Sequence, residues 1–337
     1  MTDTSADIET VSQMTGHPDD ITVGVVIVAY GSEDVLPRCL ESLAASTHEE
    51  IKIAVVDNAS PDSSVLAVRR HAAARGLSPG NGFAEIRASE IPDGKGKPVP
   101  DLTLIRAGTN LGFGAGCNLG LDLLRQDPDI DLFWLLNPDT EVPPETASVY
   151  ALKAASGPVG LMGGRVLFHA PPNRIQSDGG RLNRWTGFCR NVNFGKAPEA
   201  AEPPASRDID FLLGANLVAS RTFLDRVGPM REDYFLYYEE VDWALRRGDL
   251  PLALVPEAFI LHHGGTVAGT GSLTGRASPL SNYYNYRNRM RFIARHNPAA
   301  LPIAYAVSLW AAFGLLRAGA REEAAAAFRG LHAMQID

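Results

Sequence analysis

The chain has 337 residues, of which 45% are hydrophobic and 21% are charged, and its formal net charge is −8. These values are typical of a folded soluble protein and exclude a fibrous or low-complexity chain. The acidic balance argues against a duplex nucleic-acid binder, which normally has a basic face, but it is compatible with a nucleotide ligand.

The first half of the chain alternates apolar runs with helical patterns. Residues 1–20 are polar and acidic, lack the apolar segment of a signal peptide, and are predicted to form a disordered tail. Continuous β-branched runs then predict strands buried on both faces. These strands are expected at 23–28, 51–56, 102–105 and 132–136, with helices at 36–43, 63–75 and 115–125. Such alternation is typical of a doubly wound, parallel α/β sheet.

Other parts of the chain depart from this alternation of strands and helices. Residues 76–101 are rich in Gly, Pro and Lys and are predicted to be a partly mobile insertion with a weak strand at 83–86; residues 196–206 are predicted to be a flexible loop. Shorter strands, expected at 159–162, 166–168, 211–218, 252–255 and 259–262, indicate a mixed extension of the same sheet. The sequence therefore predicts one domain over 21–280 and a helical segment over 281–337.

Polar residues follow three of the predicted strands, where ligands of open α/β sheets bind. They are Ala29-Tyr30, Asp57-Asn58 and Asn137-Pro138-Asp139. Asp and Asn are also common turn and cap residues, so each group alone has an ordinary structural alternative. Because the three groups converge on one crevice, we expect a ligand site there.

A glycine-rich loop at 108–118 contains Asn110 and Gly112 and precedes a predicted helix. Its alternating glycines do not match the dinucleotide pattern G-x-G-x-x-G. They still permit the backbone to approach a phosphate or sugar closely at a helix N-terminus. A helix cap without a ligand is the alternative.

Asn137-Pro138-Asp139 is a variant of an acidic D-x-D arrangement in which an amide replaces the first carboxylate. Asp139 is well placed for Mg²⁺ or Mn²⁺ bridging a diphosphate, because such ions use few protein carboxylates. His262 or His263, after a predicted strand, is expected to complete the metal shell, and the sequence does not decide between them. Ordinary core or surface histidines are the alternative.

Glu239, Glu240 and Asp242 place three carboxylates in four residues at a predicted helix start. Acidic residues there favour the helix dipole, which is a purely structural explanation. Aromatic residues surround these charges, however, and a carboxylate beside apolar surface has a raised pKa and is suited to act as a general base.

In order and spacing these segments resemble family 2 glycosyltransferases of the GT-A fold, particularly the rhamnosyltransferase-like branch of bacterial cell-surface polysaccharide assembly. The resemblance extends over about 23–297. The matching segments are 25–30, 55–60, 110–118, 135–140, 211–215, 235–246, 255–258, 262–265 and 286–289.

The resemblance implies metal-dependent, inverting transfer of a sugar (rhamnose or another hexose) from a nucleotide-diphosphate donor to a saccharide or lipid-linked acceptor. It implies that Asp57 contacts the nucleobase and that Asp139 and His262 hold the metal. The other implied donor-binding residues are Ala29, Tyr30, Asn58, Asn110, Gly112, Asn137 and Gly214. The base falls on Glu240, oriented by Glu239. Because this chain has Glu where the family has Asp, Asp242 is the fallback.

A sugar nucleotidyltransferase and a non-catalytic nucleotide-sugar-binding protein are the alternatives. Arg287, Arg289, Arg291 and Arg295 form a basic, aromatic segment that is either a solvated helix face or a membrane-docking face. The apolar stretch 299–316 is interrupted by Pro302, so no membrane span is predicted. Three widely spaced cysteines indicate a reducing cytosol, with the inner face of the cytoplasmic membrane as the expected site.

Overall fold

The structure, a computed structural model, describes residues 17–91, 96–171, 173–263 and 276–333. Most of the predicted tail, the glycines after His263 and residues 334–337 lie outside these ranges. The strands are β1 (Thr22–Ala29), β2 (Ile51–Asp57), β3 (Ser78–Pro79), β4 (Gly82–Arg87), β5 (Leu102–Arg106), β6 (Ile130–Leu136), β7 (Thr140–Glu141), β8 (Leu161–Phe168), β9 (Ile175–Ser177), β10 (Gly180–Leu182), β11 (Cys189–Asn191), β12 (Asn216–Ser220) and β13 (Leu252–His262). The helices are α1 (Leu36–Ala44), α2 (Ser64–Ala74), α3 (Phe113–Leu124), α4 (Thr146–Ala155), α5 (Arg221–Val227), α6 (Glu239–Leu245), α7 (Pro279–His296), α8 (Leu301–Arg317) and α9 (Arg321–His332).

A parallel half-sheet forms around β1, whose eight residues are all buried. β1 pairs in parallel with β2 on one side and β6 on the other, and β2 continues through β5 to β4. Helices cover both faces, which explains why these strands are continuous apolar runs. The predicted doubly wound parallel architecture is confirmed.

The other half of the sheet is mixed, as predicted. β12 lies antiparallel between β6 and β8, β13 pairs in parallel with β8, and β7 closes the edge antiparallel to β13. Buried Asn216 joins this half, since its amide accepts from the Trp134 indole at 2.8 Å and donates to the Ala258 carbonyl at 3.1 Å.

Five strand predictions in this half were wrong in their bounds. The two strands expected at 159–162 and 166–168 form one strand, β8, and those expected at 252–255 and 259–262 form β13. Gly164 of β8 lies against the Ala258 carbonyl of β13. Glycine is needed there because a Cβ would collide with that carbonyl. The strand expected from Phe211 begins only at Asn216, since a turn closed by Asn216 N and Leu213 O precedes it.

The segment interpreted as an insertion contributes to the sheet. β4 pairs in parallel with β5, and its Glu85 carboxylate accepts two hydrogen bonds from Arg69 of α2, each at 2.8 Å. Within the loop expected at 196–206, Ala201 is buried and packs with Leu167 of β8. Both segments therefore include residues that contact the sheet.

Helix α3 packs against β1 through glycine. A Cβ on Gly120 would lie within 3.0 Å of Val26 Cγ2, and one on Gly116 would lie 2.7 Å from Val28 Cγ1. Both valines are buried in the centre of the sheet, so the strand has little room to yield. This close approach sets the position of the α3 N-terminus.

We expect Gly120→Ala to lower the free energy of unfolding by about 1–3 kcal/mol, because overpacking outweighs the gain in helix propensity. Gly314→Ala is the matched control. It lies inside α8 with no neighbouring atoms around its Cβ position, and should stabilise by up to about 1 kcal/mol. Urea unfolding measures both changes, and equal effects would contradict the packing argument.

Helix α8 has an unusual distribution of side chains. Its buried residues are small (Ala304, Ser308 and Ala312), whereas four of its large apolar residues are exposed (Ile303, Trp310, Phe313 and Leu316). Leu309 and Leu315 pack partly buried against the core, and the Phe313 ring also contacts Phe328 of α9. The stretch Pro298–Arg317 is long and apolar enough to cross a bilayer by length and composition, and 22% of it is buried. Length and composition alone are weak grounds for a membrane span.

Candidate active site

A cavity of about 440 Å³ opens at the carboxyl ends of β1 and β6. Ten of the predicted site residues line it: Tyr30, Asn58, Asn110, Gly112, Asn137, Asp139, Gly214, Glu239, Glu240 and His262. Four do not: Ala29, Asp57, Asp242 and His263. A larger groove of about 710 Å³ between α1 and α2 contains none of the predicted residues. Most of the predicted site residues therefore lie in the smaller cavity.

Asn58 holds the loop that precedes α3. Its amide donates to Asn110 Oδ1 at 3.1 Å and to the Gly112 carbonyl at 3.0 Å, and its oxygen accepts from Leu111 N at 3.0 Å. Gly112 has φ +86°, and a Cβ there would collide with the backbone of Phe235. The loop thus requires glycine at this position for a steric reason.

Asp57 is buried behind the cavity wall. Its carboxylate accepts from Arg106 Nε at 3.0 Å and from Ser60 N at 3.1 Å. These bonds fix the turn that presents Asn58. Ala29 is fully buried and pairs with Asp57 across the sheet. Contact of Asp57 with a nucleobase stays a prediction.

Asp139 and His262 form a close pair in the cavity. Asp139 Oδ1 lies 3.0 Å from His262 Nε2, and His262 Nδ1 lies 2.6 Å from Gln176 Oε1. An amide oxygen can only accept, so Nδ1 carries a proton, and Nε2 faces both the Asp139 carboxylate and, at 3.2 Å, Asn137 Nδ2. With Nε2 unprotonated, its lone pair and the Asp139 carboxylate would offer two metal ligands side by side. A shared cation suits that arrangement, and the two residues fit a divalent metal.

His263 lies on the other side of the strand end. Its Nε2 is 3.3 Å from Glu141 Oε1, and its ring stacks on His169. The sequence left the choice between His262 and His263 open, and the geometry places only His262 beside Asp139. Gln176, which orients His262, was missed because the sequence analysis predicted no strand at β9, which pairs antiparallel with β8.

The two glutamates at the start of α6 occupy an apolar environment. Burial raises the pKa of Glu240 to about 7. Burial, together with the charge of Glu240, raises the pKa of Glu239 well above its ordinary value. The Oε2 atom of each side chain is buried and has no hydrogen-bond partner among the described residues. Glu240 is therefore the first of the pair to ionise as the pH rises.

Asp242 points away from the cavity into a buried ion-pair cluster. Its carboxylate accepts from Arg246 Nε and faces His296 Nε2, each at 2.7 Å. Burial acts to raise the pKa of Asp242, but the His296 and Arg246 hydrogen bonds hold it below its ordinary value. Because the Asp242 carboxylate bonds to Arg246 and His296 and does not line the cavity, the structure gives no support to Asp242 as an alternative base.

The turn before α6 is strained and is held by α7. Phe235, Tyr237 and Tyr238 all have positive φ, at 67°, 69° and 76°. Asn288 Nδ2 lies within hydrogen-bond distance of the carbonyl oxygens of Tyr234, Leu236 and Tyr237, at 2.7–2.9 Å. This support places Glu239 and Glu240 in the cavity.

The arginines of α7 bond within the protein. Arg287 donates to the Tyr234 carbonyl at 2.7 Å, and Arg295 pairs with Asp233 at 2.9 Å. Arg291 donates to the Asp233 carbonyl at 2.6 Å, and Arg289 stacks on the Phe188 ring. Arg287, Arg291 and Arg295 thus bond to carbonyls and a carboxylate around the strained turn, and contact of α7 with a membrane stays a prediction.

Fold and site together define a GT-A glycosyltransferase. The family model for glycosyl transferase family 2 matches residues 24–201, which is more than half of the chain. The chain belongs to glycosyl transferase family 2, and the resemblance inferred from the sequence motifs is confirmed.

Two curated proteins are similar in sequence. The chain is 25% identical over 269 residues to N-acetylglucosaminyl-diphospho-decaprenol L-rhamnosyltransferase of Mycobacterium tuberculosis, a match that covers 71% of this chain and 75% of that protein. It is 24% identical over 149 residues to the low-salt glycan biosynthesis hexosyltransferase Agl10 of Haloferax volcanii, covering 43% and 46%.

A solved structure agrees with the fold. GalNAc-T7 in complex with UDP, GalNAc and Mn²⁺ superposes with a TM-score of 0.53 at 13% identity, covering 72% of this chain and 44% of that one. At this identity the likeness concerns the fold alone, which confirms the predicted GT-A architecture.

We expect Asn288→Ala to lower kcat by about 10²-fold, because releasing the strained turn displaces Glu240 by an ångström or so. Asn285→Ala is the control, since the Asn285 amide bonds only to Ser281 O within the same helix. Steady-state kinetics well below the melting temperature test the effect. Unchanged kcat in a folded Asn288→Ala protein would contradict the positioning role.

Proposed function

We propose that the chain transfers a hexose, with inversion, from a nucleotide-diphosphate donor to a saccharide carried on a lipid. The observation that supports this proposal is that one cavity contains two kinds of group. One is a pair of side chains that fits a divalent metal, Asp139 and His262, and the other is a half-buried glutamate, Glu240, whose pKa is raised to about 7. The name of the mycobacterial relative describes a rhamnosyltransferase acting on a lipid-linked diphosphate sugar, which supports a hexose as the transferred sugar and a lipid-linked saccharide as the acceptor.

Glu240 acts as the general base. Its ionised carboxylate removes the proton from an acceptor hydroxyl as that oxygen attacks the anomeric carbon from the face opposite the diphosphate. The bond between the anomeric carbon and the phosphate oxygen breaks, and the nucleoside diphosphate leaves. One displacement inverts the configuration, so no enzymic nucleophile is needed.

Asp139 and His262 hold the donor end of the reaction. A divalent cation bound there supplies the positive charge that neutralises the diphosphate. The imidazole ligand favours Mn²⁺ over Mg²⁺, which prefers an all-oxygen shell. Gln176 keeps the His262 ring in the orientation that directs Nε2 towards Asp139.

Glu239 limits the negative charge of the buried glutamate pair. Its raised pKa leaves it protonated when Glu240 ionises, so the buried pair holds a single negative charge. We assign Glu239 an orienting role and Asp242 a structural one, with the Arg246 and His296 contacts of Asp242 anchoring α6.

Glu240→Gln tests the base. We expect kcat to fall about 10²–10⁴-fold, while the melting temperature shift produced by nucleoside diphosphate with Mn²⁺ persists. Because the base must be ionised, wild-type activity should fall as the pH decreases through about 7, and the variant should lack that limb. Glu257→Gln, on the exposed side of β13, is the control. Full activity in Glu240→Gln would exclude the assignment, and absence of transfer by wild type would favour a binding protein.

We further propose that α8 rests on the inner face of the cytoplasmic membrane. Its outward side chains include Trp310, which is 77% exposed, and Phe313, an arrangement that suits insertion at the headgroup boundary. Arg317 and Arg321 at the α8–α9 corner are also exposed and suit anionic headgroups. This face is a second candidate docking surface beside the arginines of α7.

Replacing Trp310 and Phe313 by serine should reduce binding to phosphatidylglycerol vesicles by about 10-fold or more, because roughly 1.5–3 kcal/mol is lost for each large apolar side chain that would be buried. Leu152→Ser is the control, since Leu152 on α4 is also largely exposed. Cosedimentation measures the bound fraction. Equal sedimentation of the double variant and the wild type would contradict membrane docking through α8.

A further inference from the structure

Three ligand-type side chains converge outside the donor cavity. They are Glu141 of β7, His169 directly after β8 and His263 directly after β13. Glu141 Oε1 lies 2.9 Å from His169 Nε2 and 3.3 Å from His263 Nε2. All three ligand atoms lie within 4.8 Å of one another, and the two rings stack with centroids 3.8 Å apart.

We infer that Glu141, His169 and His263 form a second cation site, selective for a transition metal such as Zn²⁺. Two imidazole nitrogens and one carboxylate are a frequent zinc ligand set. Tetrahedral Zn²⁺ with ligands at about 2.0–2.2 Å places neighbouring ligand atoms about 3.3 Å apart, close to the observed spacings. The imidazoles disfavour Mg²⁺ and Ca²⁺, which take oxygen ligands.

The backbone holds these three side chains in place. His169 N donates to the His262 carbonyl, and His263 N donates to the Asp139 carbonyl, both at 2.9 Å. Glu141 pairs with Leu261 where β7 joins β13. The three ligands therefore project from adjacent, hydrogen-bonded strand ends. Because an imidazole binds a metal in its ring plane and the two rings are stacked at 19°, binding requires one ring to rotate out of the stack while the backbone stays in place.

The cluster is distinct from the Asp139–His262 pair. Successive residues of an extended chain point to opposite sides, and His263 accordingly faces Glu141 whereas His262 faces Asp139. The side chains of Glu141, His169 and His263 retain 26%, 32% and 25% exposure, which leaves solvent access to a fourth coordination position.

Arg38 is the competing partner of Glu141. Its Nη1 lies 3.0 Å from the same Oε1 atom, but the side chain is 61% exposed and can move into solvent. A cation at the cluster would repel the guanidinium. If the cluster instead exists only for hydrogen bonding, Arg38 is simply a further donor to Glu141. Removing Arg38 therefore separates the two explanations.

An ion at this site would stabilise the strand ends that present Asp139 and His262. It would join β7 to the ends of β8 and β13 without contacting the donor. The inference concerns metal binding and holds whether or not the proposed transfer reaction is correct.

The test is Co²⁺ titration of the full-length, chelator-stripped Asp139→Asn protein, in which the donor-site metal pair is disabled. We expect one bound Co²⁺ with the visible absorption of a tetrahedral ion. Adding His169→Ala or Glu141→Gln should weaken binding at least about 10-fold. Adding His71→Ala, a histidine of α2, should change nothing, and Arg38→Ala should leave binding equal or tighter.

Loss of all Co²⁺ absorption in Asp139→Asn alone would overturn the inference, as would unchanged binding after His169→Ala. Should His169→Ala fail to fold, Glu141→Gln and His169→Asn serve instead. A second readout uses Zn²⁺ alone, which should raise the melting temperature of the Asp139→Asn protein. No rise, or a rise that persists with Glu141→Gln, would refute the site.

Discussion

The strained turn at 234–238 is the constraint on which the active site depends. Three non-glycine residues in the left-handed region cost of the order of 1–3 kcal/mol each, so the turn persists only because other contacts determine it. Asn288 satisfies its carbonyls from one side, and Phe113 N donates to the Phe235 carbonyl at 2.6 Å from the other. The same turn therefore fixes both the glutamates of α6 and the loop before α3, which line the cavity together.

Much of the fold could be predicted from the sequence because the parallel strands are buried on both faces. Continuous apolar runs such as β1 have few alternatives. The strands of the mixed half were harder to predict, because they contain glycine and polar residues whose role is to contact segments distant in the sequence. Gly164 is needed because the irregularity of β13 between Val255 and Ile260 places the Ala258 carbonyl against β8, and Asn216 is needed because it joins three elements. Such requirements have no local signal in the sequence.

The candidate site was predictable where a residue type and a strand end coincide, as for Asp139 and His262. It was less predictable on helices, where direction matters. Asp242 follows Glu240 by two positions, about 200° around the helix, so the two carboxylates face opposite environments. The arginines of α7 show the same limit: their number suggests a basic surface, but their donors are directed at carbonyl groups inside the fold. Composition indicates charge and does not indicate orientation.

Asn58 has a consequence for how this enzyme can distinguish donors. Both hydrogens of its amide are engaged by Asn110 and Gly112, so the side chain has no donor group left to offer a ligand. It joins two loops and leaves contact with a ligand to neighbours that line the cavity with exposed surface, such as Tyr30. Substitution at such rim positions would change the cavity surface while the loop geometry stays the same.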